Sequence, residues 1–383
     1  MSVTEAQGFR ASGVAAGLKS GGGPDVALVV NDGPLSAAAA VYTSNRCKAN
    51  PVLWSERVTA DGTARAVVLN SGGANCYTGP AGFLTTHASA EQVANLTGVD
   101  AGDVVVCSTG LIGLQLDADR LAAGIEAAAG ALSADGGGDA ALAIMTTDTH
   151  AKQSLARREG WVVGGMAKGA GMLAPALATM LVVVTTDADA DAGMLDRALR
   201  AATRVTFDRL DSDGCQSTND TVVLMASGAS GVRPTQDELD AAVREVCHDL
   251  AQQLMRDAEG ADHDIAIEVV GAATEDDAVE VGRSIARSNL FKAAVFGRDA
   301  NWGRILAAVG TTSAAFEPTQ LDAAMNGVWI CRGGEPGESR DLVDLSAREV
   351  SVTVDLHSGN ASATVWTNDL THAYVHENSA YSS

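Results

Sequence analysis

The chain has 383 residues, 46% of them hydrophobic, which is enough for two or three domains with substantial cores. Asp and Glu number 48 and Lys and Arg 26, so the formal net charge at pH 7 is −22. This balance disfavours binding to a nucleic-acid backbone, and no basic stripe offsets it. Because no apolar run approaches the roughly 18 residues of a membrane span, we expect a soluble protein with neither membrane nor nucleic-acid partners.

Cysteine usage and the start of the chain indicate the cellular compartment. The six cysteines follow no Cys-x-x-Cys or other ligand spacing. Residues Met1–Gly13 lack the basic and then apolar pattern of a leader. We therefore expect reduced thiols in a cytoplasmic protein.

Two other site types fit the sequence poorly. The aspartates of segment 208–220 lack the spacing and the closing glutamate of a calcium loop, so structural roles are favoured for them. The glycines at 164–165 and 169–171 lack the third glycine and the helix start of a dinucleotide fingerprint. The sequence thus predicts no metal and no bound cofactor.

The first half of the chain alternates predicted strands and helices. Apolar runs predict the strands, Gly79-Pro80 marks one helix start, and Asp117 provides the N-cap of an Ala-rich helix. The glycine run 135–139 predicts a flexible surface connection. The predicted strands are Asp25–Asn31, Ala38–Tyr42, Ala64–Asn70 and Asp103–Cys107, and the predicted helices are 79–97 and 117–132.

The second half contains the clearest helix of the chain, predicted over 235–258. Thr235 and Glu238 form a capping-box pattern, and apolar residues repeat at helical spacing from Leu239 to Leu254. Two alternating segments, 350–356 and 361–367, predict a hairpin. Further predicted elements are strands at 161–166, 182–184 and 265–270, a helix at 191–203 and a helix ending near 288.

This order of elements predicts an α/β (α+β-like) fold in which helices pack on mixed sheets. We expect two lobes, a larger one over 1–288 and a smaller C-terminal one over 289–383.

One stretch, Lys168–Asp187, brings a threonine to the mouth of a predicted strand. Glycines interrupt the approach, Ala178 and Thr179 follow, and a β-branched apolar run begins at once. A threonine in this place can attack the preceding peptide bond and then act as a nucleophile whose freed α-amine is the base. Such an amine has an ordinary pKa of about 7.7 to 8.0, so no histidine is needed. The alternative is an ordinary threonine at a strand edge.

Lys168–Asp187 is one of several segments that together match a known family. The others are Leu69–Asn75, Cys107–Gly113, Met145–Asp148, Asp208–Asp211 with Ser217–Asp220, Gly271–Asp277, Asp299–Arg304 and Glu377–Tyr381. As a set, which spans nearly the whole chain in order, they resemble the ornithine acetyltransferase (glutamate N-acetyltransferase) family. The resemblance implies an αββα-type sandwich, as in N-terminal-nucleophile enzymes, and self-cleavage between Ala178 and Thr179. The products would be an N-terminal chain 1–178 and a C-terminal chain 179–383.

The resemblance also implies roles for individual residues. Thr179 would be the nucleophile, and Thr109 and Gly110 would form the oxyanion hole. The substrate would contact Thr179 and five further residues, namely Thr146, Lys168, Glu259, Asn378 and Ser383.

Each of these positions has a simpler alternative. Thr109 and Gly110 follow a predicted strand and can turn a hydroxyl and a backbone N–H toward one point, but they also fit a plain turn. Lys168 is a lone cation that could hold a carboxylate or lie in solvent. Glu259 lies near a helix end where the dipole disfavours an anion, so it either meets a substrate ammonium group or is solvated. Asn378 and Ser383 require residues 377–383 to fold over the site, whereas chain ends usually fray.

The activity that the resemblance implies is acetyl transfer from N-acetylornithine to glutamate through an acetyl-threonine, a ping-pong reaction of arginine biosynthesis. Acetyl-CoA is a possible co-substrate, and the cleaved chains are expected to associate as α2β2 or larger. Two alternatives stay open. An N-terminal-nucleophile amidase or aminopeptidase would pass the acyl group to water, and a non-catalytic acidic binding protein would remain uncut.

Overall fold

The computed structural model describes residues 2–172 and 180–380, so the predictions for Ala178, Thr179 and Ser383 lie outside the described residues. Two sheets and their covering helices occupy the chain as far as residue 256. The strands are β1 (Phe9–Val14), β2 (Val26–Asn31), β3 (Ala38–Tyr42), β4 (Ala66–Asn70), β5 (Val104–Ser108), β6 (Lys152–Arg158), β7 (Trp161–Lys168), β8 (Leu181–Thr186) and β9 (Thr221–Ala226). The helices are α1 (Asn50–Val58), α2 (Gly79–Thr97), α3 (Ala118–Gly130), α4 (Gly137–Ala143), α5 (Ala192–Val205) and α6 (Gln236–Arg256).

The strands form one sheet of order β1-β2-β4-β5 and another of order β3-β9-β8-β7-β6. Val29 and Val67 of the first meet Val183 and Val223 of the second in a shared buried core. The outer face of the first sheet packs on α2 and α3, and that of the second packs on α5 and α6. Strands buried on both faces explain the continuous apolar runs in the sequence. The layer order of helix, sheet, sheet and helix confirms the predicted αββα-type sandwich.

A third sheet builds the second lobe. Its elements and the helices that follow in this part of the chain are β10 (Asp264–Ala272), α7 (Glu275–Ala286), α8 (Asn289–Phe296), α9 (Trp302–Val309), β11 (Asp322–Met325), β12 (Val328–Arg332), β13 (Glu335–Pro336), β14 (Glu349–Asp355), β15 (Ala361–Asn368) and α10 (His372–Ala380). The strand order is β13-β12-β11-β14-β10-β15, and the core is shared with α7, α8 and α9.

The predicted C-terminal hairpin is wrong, although both of its strands exist. β14 and β15 do not pair with each other, because β10 lies between them, parallel to β14 and antiparallel to β15. Ile267 of β10 stands between Val352 and Val365, and all three are buried in the core of this lobe. A strand from earlier in the chain thus completes the apolar surface that the two neighbours in sequence cannot complete alone.

The extent of the second lobe and the structure of the run 135–139 also differ from the sequence predictions. The third sheet begins with β10 at Asp264, and α7 packs in the same core, so this lobe takes in residues that had been placed within 1–288. The run 135–139 is not a flexible surface connection, because Gly136 and Gly137 are buried and α4 begins there. A Cβ on Gly136 would lie 1.9 Å from the Ala11 carbonyl oxygen, so close packing requires the glycine.

The local helix signals are confirmed. α2 has the predicted bounds, and α6 begins with a complete capping box in which the Thr235 hydroxyl and the Glu238 carboxylate each accept the other residue's backbone N–H. None of the helices within 2–172 and 180–380 is long and apolar enough to cross a membrane.

Candidate active site

The site lies at one edge of the sheet formed by β3, β9, β8, β7 and β6. Thr43 follows β3, Asp220 precedes β9, Met180 precedes β8, Lys168 ends β7 and Lys152 begins β6. The registers Thr221 with Leu181, and Leu181 with Lys168, place these residues side by side. All five side chains are buried. Charged groups at this edge are therefore held in a desolvated place, where their interactions with one another are strong.

The predicted oxyanion residues form a tight turn after β5. The Thr109 N–H donates to the Asn70 carbonyl at 2.9 Å, and the Thr109 carbonyl accepts the Gly73 N–H at 3.0 Å. Gly110 has φ +127°, and a Cβ there would lie 2.8 Å from the Gly73 nitrogen. Only glycine fits this position without a shift of the neighbouring loop.

The structure brings Lys168 to this turn, 59 residues away in sequence. Its side chain is 2% exposed, and its Nζ lies 3.4 Å from Thr109 Oγ1. Burial lowers the pKa of the Lys168 ammonium, while the carboxylates of Asp148, Asp220 and Glu259 oppose this shift. Because an ammonium group can only donate, the Thr109 hydroxyl keeps its own proton to donate elsewhere. This arrangement suits the stabilisation of an oxyanion.

A buried ion-pair network that the sequence analysis missed supports this part of the site. Lys152 is 0% exposed, and its Nζ lies 2.6 Å from Asp148 Oδ1 and 2.5 Å from Asp257 Oδ2. Burial alone would raise the pKa of Asp148, but Lys168, Lys152 and the Gly169 N–H lower it to about 2. The only local signal was the spacing of four between Asp148 and Lys152.

Asp148 also joins two predicted substrate-binding segments. One carboxylate oxygen accepts the Gly169 N–H at 2.6 Å, and the other accepts the Thr146 N–H at 2.9 Å. Thr146 and the end of β7, where Lys168 lies, are therefore fixed relative to each other.

Glu259 lies in the turn after α6, which ends at Arg256 rather than at the predicted Ala258. Its N–H donates to the Ala170 carbonyl at 3.0 Å. A Cβ on Gly171 would lie 2.7 Å from Glu259 Oε2. The half-buried Glu259 carboxylate thus packs directly on the glycine-rich approach that follows Lys168.

The first turn of the C-terminal helix α10 packs against this same turn. Gly260 has φ +63°, and a Cβ there would lie 2.2 Å from the Tyr374 nitrogen. The Thr371 hydroxyl donates to the Gly260 carbonyl at 2.5 Å. Burial, together with the charges of Asp213 and Glu259, raises the pKa of Tyr374 to about 12. α10 therefore lies beside Glu259, but Asn378 is exposed and its amide donates to the Tyr374 carbonyl within the helix.

The aspartates between 208 and 220 are held by protein groups. Arg287 Nε donates to Asp211 Oδ2 at 2.8 Å, and Asp213 Oδ2 accepts the N–H of Met172 at 2.8 Å. Asp213 thus holds the last described residue before 173–179. Within 2–172 and 180–380, no group of three or more His, Cys, Asp or Glu side chains could hold a metal ion.

A buried ammonium group beside the Thr109 hydroxyl, on an αββα sandwich, suits chemistry in which an oxyanion forms, such as acyl transfer. Comparison with known proteins narrows this class. The ArgJ family matches residues 10–383, and the chain belongs to that family.

Several relatives match the whole chain. The arginine biosynthesis bifunctional protein ArgJ of Streptomyces avermitilis is 67% identical over 383 residues, and that of Thermobifida fusca is 61% identical, each covering 100% of both chains. Among solved structures, a chain of the Bacillus halodurans ArgJ is 40% identical with a TM-score of 0.49, over 51% of this chain and 97% of that one. A chain of ornithine acetyltransferase from Mycobacterium tuberculosis, complexed with ornithine, is 52% identical with a TM-score of 0.45, over 47% of this chain and 96% of that one.

Proposed function

We propose that the protein is a self-cleaving acetyltransferase of arginine biosynthesis, which moves the acetyl group of N-acetylornithine to glutamate through an acetyl-threonine at Thr179. One observation carries the proposal. The Thr109–Gly110 turn and the Lys168 ammonium meet at the sheet edge where Met180, the residue after Thr179, enters β8. Membership of the ArgJ family and the full-length arginine-biosynthesis relatives support it.

The sheet pairing would hold the two products of cleavage before Thr179 together. β7 on the N-terminal side pairs with β8 on the C-terminal side from Lys168 with Leu181 to Val163 with Thr186. β3 pairs in the same way with β9. Chains 1–178 and 179–383 would therefore remain one folded unit. We expect these units to associate as α2β2 or larger and to work in the cytoplasm.

The proposed chemistry uses the α-amine of Thr179 as the base. Thr179 Oγ bonds to the acetyl carbon of N-acetylornithine while the hydroxyl proton passes to the amine. Collapse of the tetrahedral intermediate breaks the C–N bond, and the ammonium returns the proton to the leaving nitrogen of ornithine. The neutral amine of glutamate then attacks the acetyl carbon of the acetyl-threonine, and its proton passes through the Thr179 amine to Oγ as the ester C–Oγ bond breaks. N-acetylglutamate leaves, and Thr179 is restored.

The surrounding residues take complementary roles in this proposal. The Thr109 hydroxyl and the Gly110 N–H donate to the oxyanion, a contribution that typically lowers the barrier by about 2.7 to 4 kcal/mol per donor. Lys168 holds a substrate carboxylate, and Glu259 meets a substrate ammonium group. Asp148 accepts the Thr146 N–H, and Thr146 would contact the substrate, as would Asn378 and Ser383 from the C-terminal tail.

No bound cofactor is required for these steps. Acetyl-CoA would serve as a second acetyl donor, in which case the enzyme also makes N-acetylglutamate from it. Replacing N-acetylornithine by acetyl-CoA in the assay described next tests this second donor.

The test is the fate of an isotopically labelled acetyl group on N-acetylornithine. We expect labelled N-acetylglutamate, with parallel double-reciprocal lines when both substrates are varied. Release of labelled acetate at a rate that glutamate does not change would instead identify an amidase or aminopeptidase. Absence of any turnover, with an uncut chain, would favour a binding protein.

A further inference from the structure

The two amino acids of the proposed reaction differ in the charge of their side chains. Glutamate carries an α-carboxylate and a γ-carboxylate, whereas ornithine carries one carboxylate and a side-chain ammonium group. In the proposed function Lys168 holds a carboxylate and Glu259 meets the ammonium group, so the γ-carboxylate of glutamate has no cation. Because a carboxylate taken out of water needs a partner, a second cation is expected near Lys168.

Lys19 lies in the loop between β1 and β2, where the backbone is firmly held. The buried carboxylate of Asp25 accepts the N–H of Leu18 at 2.6 Å and that of Lys19 at 3.1 Å. The side chain of Lys19 is half-buried, and its Nζ donates to the Pro24 carbonyl at 3.0 Å. An ammonium group has three N–H donors, so this bond uses only one of them.

This loop packs against the turn that contacts the oxyanion residues. A Cβ on Gly72 would lie 2.2 Å from Leu18 Cβ, and the N–H of Gly73 donates to the Thr109 carbonyl at 3.0 Å. Residues 20–23, which follow Lys19, are exposed to solvent. Lys19 therefore lies where the loop passes from the packed turn to the surface, as a residue at the entrance of a site would.

The charges of the candidate site act on the Lys19 ammonium. Burial and the Lys168 charge lower its pKa, and the carboxylates of Asp25 and Asp148 raise it. Two ammonium groups that are close enough to interact repel each other, and each gains from an anion placed near it. A dicarboxylate supplies one anionic group for each of them.

We propose that Lys19 is a substrate-binding residue that holds the γ-carboxylate of glutamate while Lys168 holds the α-carboxylate. This inference rests on the proposed function. N-acetylornithine presents an ammonium group to Glu259 instead, so Lys19 contributes to binding of the acceptor and not of the donor. The second half-reaction thereby gains its preference for an acidic amino acid over a neutral one of similar shape.

The test measures kcat/KM for the donor and for the acceptor separately, in full-length wild type, Lys19→Met and Lys19→Arg. In a ping-pong reaction kcat/KM for N-acetylornithine reports only the first half-reaction, and kcat/KM for glutamate reports only the second. Glutamine, which has a neutral amide in place of the γ-carboxylate, is assayed as an alternative acceptor. Lys48→Met is the matched control, because Lys48 is also half-buried but pairs with Glu56.

We expect Lys19→Met to lower kcat/KM for glutamate roughly 10- to 100-fold, as the loss of a hydrogen bond to a charged group would. The values for N-acetylornithine and for glutamine should stay within about threefold of wild type, and the melting temperature should not change. Lys19→Arg keeps a cation and should lose less activity with glutamate than Lys19→Met.

Three results would overturn the inference. They are a kcat/KM for glutamate in Lys19→Met within about threefold of wild type, an equal loss with N-acetylornithine, and an equal loss in Lys48→Met. The wild-type protein separates this failure from that of the proposed function. If wild type transfers the acetyl group to neither acceptor, the proposed function fails and the role of Lys19 falls with it.

Discussion

The buried network around Lys152 gives the most quantitative prediction about stability. Lys152→Met removes the cation that lies 2.6 Å from Asp148 and 2.5 Å from Asp257, and both carboxylates are buried. Removing one partner of a buried ion pair typically costs about 3 to 5 kcal/mol. Backbone N–H groups of Gly169 and Thr149 remain bonded to the two carboxylates, so we expect a loss near the lower end, about 3 kcal/mol.

The assay is urea unfolding at pH 7, followed by tryptophan fluorescence. It should be done in a Thr179→Ala background, so that the chain stays in one piece and the free energy of unfolding refers to a single chain. Lys48→Met is the matched control, because Lys48 forms an ion pair with Glu56 that is partly exposed to solvent. Such surface pairs contribute only about 0 to 1 kcal/mol. If Lys152→Met lost no more stability than Lys48→Met, the ion pairs of Lys152 would not stabilise the fold around the site.

Three further predictions concern the oxyanion turn, the C-terminal helix and Asp148. Thr109→Val should lower kcat by roughly 100- to 1,000-fold with an unchanged melting temperature, and a loss below tenfold would show that the hydroxyl is not a donor. Gly260→Ala should raise KM and expose α10 to proteolysis, since the new Cβ would meet the Tyr374 nitrogen. The control is Gly231→Ala, because nothing lies within 4 Å of a Cβ at that position. Equal behaviour of the two variants would refute the packing of α10 on the turn at Gly260. The folded-state pKa of Asp148, about 2, lies below its unfolded value of about 3.9, so ionised Asp148 stabilises the fold above about pH 4. The difference in free energy of unfolding between wild type and Asp148→Asn should therefore shrink by about 2 kcal/mol as pH falls from about 4 to about 2, and a constant difference would contradict this.

The parts of the fold that depend on local signals could be predicted from the sequence. α6 follows from a capping box and a helical apolar repeat, and β8 follows from a β-branched run. The pairing of β14 and β15 could not be predicted in this way. β10 lies between them because the three strands together complete the apolar core of the whole lobe. A short window of sequence contains no information about pairing with a distant strand.

In the candidate site, too, some features could be predicted from the sequence and others depend on packing between distant segments. Thr109 and Lys168 could be named from a family resemblance, but their 3.4 Å approach joins strands that the sequence separates by 59 residues. The spacing of four between Asp148 and Lys152, and the place of Asp220 in the segment Ser217–Asp220, did not show that these side chains are buried, because a lysine or an aspartate is usually solvated. Only the packed sheet edge shows that these charges are buried, and burial is what gives them their effect.

The most direct test of the account is the intact mass of the denatured protein after brief exposure to N-acetylornithine. Wild type, Thr179→Ala and Thr179→Ser would be measured side by side. We expect two pieces divided before residue 179, with one acetyl group on the C-terminal piece, in wild type and to a lesser extent in Thr179→Ser. In Thr179→Ala we expect a single unmodified chain. A single unmodified chain in all three proteins, or an acetyl group on Thr179→Ala, would show that Thr179 is not a self-cleaving acetyl acceptor.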